Sequence, residues 1–93
     1  MRIGAYTFTI IIPASQSLKD KRRVIKSIKD KLRARHNIAI AEVGELDLWQ
    51  RSTLAIVSVS NDETMLNSTF SKIRNEIEGI VPGHITDEHV EFL

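Results

Sequence analysis

The chain has 93 residues, 42% of them hydrophobic and 27% charged, with no cysteine and a formal net charge of +1. That length supports one domain spanning 1–93, and the lack of thiols excludes both a disulfide framework and a thiolate zinc site. The small net charge hides a separation of sign: residues 15–36 carry nine Lys or Arg against two Asp, a balance of +7, while the other 71 residues sum to −6.

The first element is GAYTFTIII, residues 4–12, rich in β-branched and aromatic side chains and stopped by Pro13. Tyr6, Phe8, Ile10 and Ile12 share one face of this strand, and Thr7, Thr9 and Ile11 share the other. The larger, greasier set belongs against helices. The run is too short to cross a bilayer and lacks the flanks of a signal peptide, so the expected compartment is the cytoplasm, with no membrane partner.

Ser17 opens a helix over 18–35, with Asp20 three residues on as a capping box requires. Leu18, Val24, Ile25, Ile28 and Leu32 form its apolar stripe. Lys21 falls inside that stripe. Its ammonium there needs a carboxylate such as Glu42 or Glu45, or else binds an anion beside the helix N-terminus.

NIAIAEV (37–43) and STLAIVSVS (52–60) read as strands joined by the more polar GELDLWQR. Ser60 with Glu63 repeats the capping-box signature and opens a second helix. Its core positions are Met65 or Leu66, Phe70, Ile73 and Ile77, and Gly79 with Val81-Pro82-Gly83 ends it. HITDEHVEFL is a last strand, charged enough to lie at an edge.

The order βαββαβ, with both helices on one face of a four-stranded antiparallel sheet, is the α+β ferredoxin-like plan. Right-handed crossovers put strands one and three in the centre. The second sheet face is left uncovered, and its Thr and Ile side chains suit contact with another copy, as in a homodimer.

On the first helix Lys19, Arg22, Arg23, Lys26, Lys29 and Arg33 fall within about 120° at helical spacing. Like charges at i,i+3 and i,i+4 repel by a few tenths of a kcal/mol each, so a one-signed stripe asks for an anionic partner. RNA, free or in the ribosome, fits best, because its phosphates can meet successive cations without sequence readout. Lys21 is placed with this set as an anion-binding candidate. Trp49 and Arg51 are accessory candidates: Trp49 either packs over the end of the core or stacks on a base, and Arg51 either extends the positive surface or pairs with Asp47. The alternative is a homo-oligomeric interaction module that uses the open sheet face or the basic helix and binds no nucleic acid.

No metal or cofactor is expected. His84 and His89 have opposite strand parity, which places them on opposite faces. The chain has no phosphate-cradling glycine loop, no nucleophile elbow and no paired zinc-ligand motif, so a non-enzymatic role is expected.

Four segments together resemble a known family: Ser17 to Arg22, Ala41 to Val43, Trp49 to Arg51 and Ser60 to Asp62. The pattern Ser-Leu-Lys-acid-Lys-Arg, then Ala-Glu-Val, Trp-Gln-Arg and Ser-Asn-Asp is similar to that of the YlxP-like family of uncharacterised small bacterial proteins. The likeness covers essentially the whole chain, and its motif positions fall on Leu18, Lys19, Lys21, Arg22, Glu42, Trp49, Gln50 and Arg51. It implies a ferredoxin-like fold and an association with translation or ribosome maturation, and it brings no enzymatic activity with it.

Overall fold

Alternating burial along the first strand sets the architecture. In a computed structural model, which describes residues 1–81 and 84–93, the elements are β1 (Arg2–Ile11), α1 (Leu18–Arg35), β2 (Ala39–Gly44), β3 (Arg51–Ser60), α2 (Glu63–Ile80) and β4 (Ile85–Phe92). All three strand pairings are antiparallel, and the sheet order is β2-β3-β1-β4. This is the expected ferredoxin-like βαββαβ plan, with β1 and β3 central.

Tyr6, Phe8, Ile10 and Ile12 are all buried, as their shared parity requires. They meet Leu54 and Ile56 of β3, Ile25, Ile28 and Leu32 of α1, and Leu66, Phe70, Ile73 and Ile77 of α2 in one cluster. A fully buried Leu, Ile or Phe contributes about 1.5–3 kcal/mol, so this cluster, far more than surface ion pairs, joins the layers. Gly4 sits under the Phe70 ring, where an added Cβ would stand 2.9 Å from a ring carbon.

Two local expectations fail around α2. Its N-cap is Asp62, whose side chain accepts from the Thr64 amide at 2.8 Å. Ser60 remains the last residue of β3, opposite Arg2, and its hydroxyl accepts from the Asp62 amide. Glu63 pairs with Arg2. Gly79 does not stop the helix; it lies inside it, and the last bond runs from the Val81 amide to the Ile77 carbonyl at 2.8 Å. The expected Pro82-Gly83 stop falls outside the described residues. Leu66 takes the core position and Met65 is exposed.

β4 is an edge strand with an interruption. Thr7 pairs with His89 but Thr9 with Thr86, so β4 holds one extra residue, and Asp87 there adopts φ 54°. This is a bulge, which resets the alternation of side chains. Continuing the register past Ile10 and Ile85 places His84 beside Ile11. The parity argument for His84 and His89 therefore fails. Instead, about four residues of strand, roughly 13 Å, hold them apart.

Beside β4, the Tyr6 hydroxyl donates to Glu88 Oε1 at 2.5 Å, and Arg74 Nε donates to the same carboxylate at 2.8 Å. One carboxylate thus ties β1, β4 and α2. Burial, and then the hydrogen bond to Glu88, push the Tyr6 phenol far above its ordinary value. The same hydrogen bond, aided by Arg74 and opposed by desolvation, holds Glu88 below the usual carboxylate range. A raised phenol stabilises the fold below its unfolded value and loses that contribution as pH rises; a depressed carboxylate stabilises above its unfolded value and loses it as pH falls. Tyr6 is the only tyrosine in the chain. Tyrosinate absorbance should therefore stay absent through the ordinary range near pH ~10, then appear together with loss of the circular dichroism signal. Free titration in the folded protein would contradict the buried contact.

Candidate nucleic-acid interface

The basic surface exists because the ends and the buried side of α1 are fixed locally. Ser17 Oγ accepts from the Asp20 amide at 3.0 Å, and Asp20 Oδ2 accepts from the Gln16 amide at 3.0 Å. At the far end the His36 amide donates to the Leu32 carbonyl. Lys21, Ile25, Ile28 and Leu32, spaced by four, three and four, are the buried face. That choice turns Lys19, Arg22, Arg23, Lys26 and Arg33 to solvent and leaves Lys29 half-buried at the margin. Five of the six therefore share the solvent-facing flank of α1, with Lys29 at its margin.

The stripe runs beside β2, the free edge of the sheet. Arg22, Lys26, Lys29 and Arg33 line an open groove of about 520 Å³ together with Ile25, Asp30 and Glu42. Two of the four are partly engaged. Lys26 Nζ meets Asp30 Oδ2 at 2.6 Å, and Arg33 donates to the Ile40 carbonyl at 3.2 Å. Among the described residues, Lys19, Arg22, Arg23 and Lys29 make no ion pair with a carboxylate. The hydrogen bond from Lys26 comes first in holding the Asp30 carboxyl below its ordinary value. The charges of Lys26, Arg33 and Lys29 add to it, against a smaller opposing desolvation.

Lys21 leaves this set. It is 1% exposed, and its Nζ lies 3.0 Å from Glu42 Oε2, 2.9 Å from the Glu45 carbonyl, and 3.2 Å from those of Leu46 and Arg51. An ammonium has three hydrogens to give, and four acceptors surround this one. It has nothing left for an external anion. Of its two suggested carboxylate partners Glu42 is the one used, while Glu45 contributes its backbone.

The β2–β3 connection departs further from expectation. Trp49 does not fold over the core; it is 54% exposed, with Leu46 and Leu48 exposed beside it. Arg51 does not pair with Asp47. Its Nε lies 2.8 Å from Glu45 Oε2, with Asp87 at 3.7 Å on its other side, so its charge is spent inside the molecule. Gln50 Nε2 donates to the carbonyls of both Pro13 and Ser15 at 3.0 Å, clamping the connection to the β1–α1 turn. Residue-by-residue reading missed the exposed Leu46 and Leu48. The alternation of Leu with acidic residues in ELDLW was the available signal.

Neither accessory candidate adds to the basic groove. Trp49 shares a separate cleft with Ile11, Leu48, Gln50 and Arg51, and the charge of Arg51 is matched there by Glu45 and Asp87. Among the described residues, no three His, Cys, Asp or Glu side chains converge as a metal site would need, and no helix is long and apolar enough to cross a membrane.

Comparison with known proteins places these features in context. A family profile described as "Protein of unknown function (DUF503)" matches residues 3–90. Over 71 residues, 76% of this chain and 77% of the other, the sequence is 32% identical to "Uncharacterized protein YlxP" of Bacillus subtilis (strain 168). Among solved structures, a de novo designed protein with ferredoxin fold aligns with a TM-score of 0.59 at 10% identity, covering 100% of this chain and 83% of that one. An antibiotic biosynthesis monooxygenase aligns with a TM-score of 0.55 at 11% identity, covering 98% and 95%. At such identities the likeness is one of fold.

The roles of Lys21 and the stripe separate by mutation. Lys21→Met leaves the Glu42 carboxylate with Ser52 Oγ but no ammonium and removes a donor from three inward carbonyls, and should cost about 3–5 kcal/mol in urea unfolding. Arg22→Met, on the surface, should stay within about 0.5 kcal/mol of the parent. Equal losses would mean that Lys21 is not held as described.

Proposed function

We propose that this chain, which belongs to the DUF503 family, binds the phosphate backbone of RNA, free or within the ribosome, through the exposed cationic stripe of α1. One observation carries the reading: among the described residues, solvent-facing Lys19, Arg22 and Arg23 and the half-buried Lys29 lack a carboxylate partner along one flank of an 18-residue helix. Self-repulsion among them is a cost that folding alone does not require. A phosphate chain removes it. Arg can grip a phosphate with two parallel hydrogen bonds, and Lys acts as a mobile point charge, so the mixture tolerates any base sequence.

The sheet does not compete for this role. RNA-recognition domains of similar layout stack bases on aromatic side chains of the central strands. Here the corresponding outward positions of β1 are Thr7, Thr9 and Ile11. Recognition through α1 is therefore electrostatic and blind to sequence, and it goes with a cytoplasmic location. No catalytic step is part of it.

The test is titration of labelled structured RNA at several salt concentrations. With four to six phosphates engaged, log K should fall against log[salt] with a slope of roughly −3 to −5. Arg22→Glu combined with Lys26→Glu should abolish binding while the circular dichroism spectrum is preserved. Absence of binding at low salt, or an unchanged affinity in that double variant, eliminates the reading. Recovery of an acidic protein in place of RNA would eliminate it too.

A further inference from the structure

The sheet face away from the helices is uncovered, and its composition is not that of a solvated surface. Residues paired directly across an antiparallel ladder share a face. Through the register this face receives Ala5, Thr7 and Thr9 of β1 opposite Val57, Ala55 and Thr53 of β3. Ala39 and Ala41 of β2 extend it sideways. From Ile3 to Thr9 on β1 and from Thr53 to Val59 on β3, no outward position is charged. An antiparallel sheet with one face in water ordinarily alternates apolar inward with polar outward. Here the two central strands are uncharged on the outward side as well, with Val57 and Val59 40% and 48% exposed, and charge enters at the β4 border, where Glu91 stands opposite Ala5 and His89 opposite Thr7.

We infer that a second copy of this chain seats on the open face, sheet against sheet, about a two-fold axis perpendicular to β1.

Three features support that occupant. The Thr9 and Thr53 hydroxyls already meet each other, 3.1 Å apart in a mutual hydrogen bond, and Thr9 is only 4% exposed. A dry partner would strand no donor there. The alanines keep the middle flat, so a second sheet can approach to the usual ~10 Å. The area is adequate as well. Two ten-residue strands and their neighbours make a footprint of about 33 by 15–19 Å. With a protruding rim this approaches the ~800 Å² per partner of a standard interface.

The rim sets the orientation. At one end of the face Leu48 and Trp49 project beside Ile11, and with Gln50 and Arg51 they line an open cleft of about 500 Å³. At the other end, where Ile3 pairs with Val59, Val59 and Leu93 are exposed. A two-fold axis perpendicular to β1 lays the Trp49 end of each copy over the Val59 and Leu93 end of the other. The opposite choice would stack the two protruding Trp49 ends on each other and hold the flat middles of the two sheets apart. An exposed tryptophan on a clamped loop is a side chain of the kind that carries binding energy in such a contact.

Trp49 is the only tryptophan, so its fluorescence reports on the contact directly. Sedimentation from about 1 to 100 μM should show mass rising from one toward two copies, spanning micromolar affinity. Trp49 emission should move to shorter wavelength along the same curve. Val57→Glu, at a half-exposed position, should remain monomeric with red-shifted emission at every concentration and an unchanged circular dichroism spectrum. Trp49→Ala should weaken association at least tenfold. The Arg22→Glu, Lys26→Glu double variant should associate like the parent, which keeps this inference separate from RNA binding. A parent chain that stays monomeric with concentration-independent emission overturns the inference. So does a Val57→Glu variant that still pairs, since its contact would then use another face.

Discussion

One buried ammonium constrains this fold more than any other polar group. Withdrawing Lys21 from water costs several kcal/mol, recovered only while its carboxylate and carbonyl partners all stay in place. Glu42 in turn accepts from Ser52 Oγ at 2.7 Å, which fixes it on β2 against β3. The first turns of α1, the β2 strand and the whole β2–β3 connection are thereby locked as a unit. The lock also explains the exposed apolar side chains. With the carbonyls of Glu45, Leu46 and Arg51 turned inward to the ammonium, the side chains between them are turned out. Glu45 accepts φ 57° as part of this arrangement.

The sequence reading succeeded where the determinants are local and failed where they are not. Ser17, Asp20 and the apolar spacing specify α1 from Leu18 to Arg35 without help from the rest of the chain. At α2 two cap candidates stand two residues apart, and pairing of Ser60 with Arg2 across the sheet decided between them. Gly79 resembles a stop signal, yet Ile77 and Val81 are anchored in the core on either side of it and carry the helix through. The bulge at Asp87 could not be foreseen from alternation, because it is the place where alternation breaks. Trp49 shows the limit most clearly. Its outward direction depends on an ammonium 28 positions earlier in the chain. The four motif segments, by contrast, were sufficient to find the family.

The basic segment that dominates the sequence presents less charge than its composition suggests. Lys21 is interior, Lys26 is shared with Asp30, and Arg35 meets Glu76 at 3.1 Å. His36 contacts the other oxygen of Glu76 at 2.6 Å, so this carboxylate joins the ends of α1 and α2. Burial alone would raise the Glu76 carboxyl, but the hydrogen bonds from His36 and Arg35 outweigh it and hold it low. What remains on the surface is a narrower strip, concentrated toward the N-terminal half of α1. The two sides of the molecule thus have distinct characters: cations beside the helix layer, and small apolar groups across the bare sheet.

Arg33 draws a further consequence from the position of that strip. Its guanidinium holds the Ile40 carbonyl on β2, a strand with a neighbour on one side only. Unpaired backbone groups at such a border are a template for runaway strand addition, and proteins commonly post a charged side chain there as a guard. Arg33 is such a sentinel, stationed within the open groove that it lines with Arg22, Lys26 and Lys29. Any change that draws this side chain toward solution uncovers that carbonyl, so resistance to strand addition at β2 rests on a residue of the helix layer.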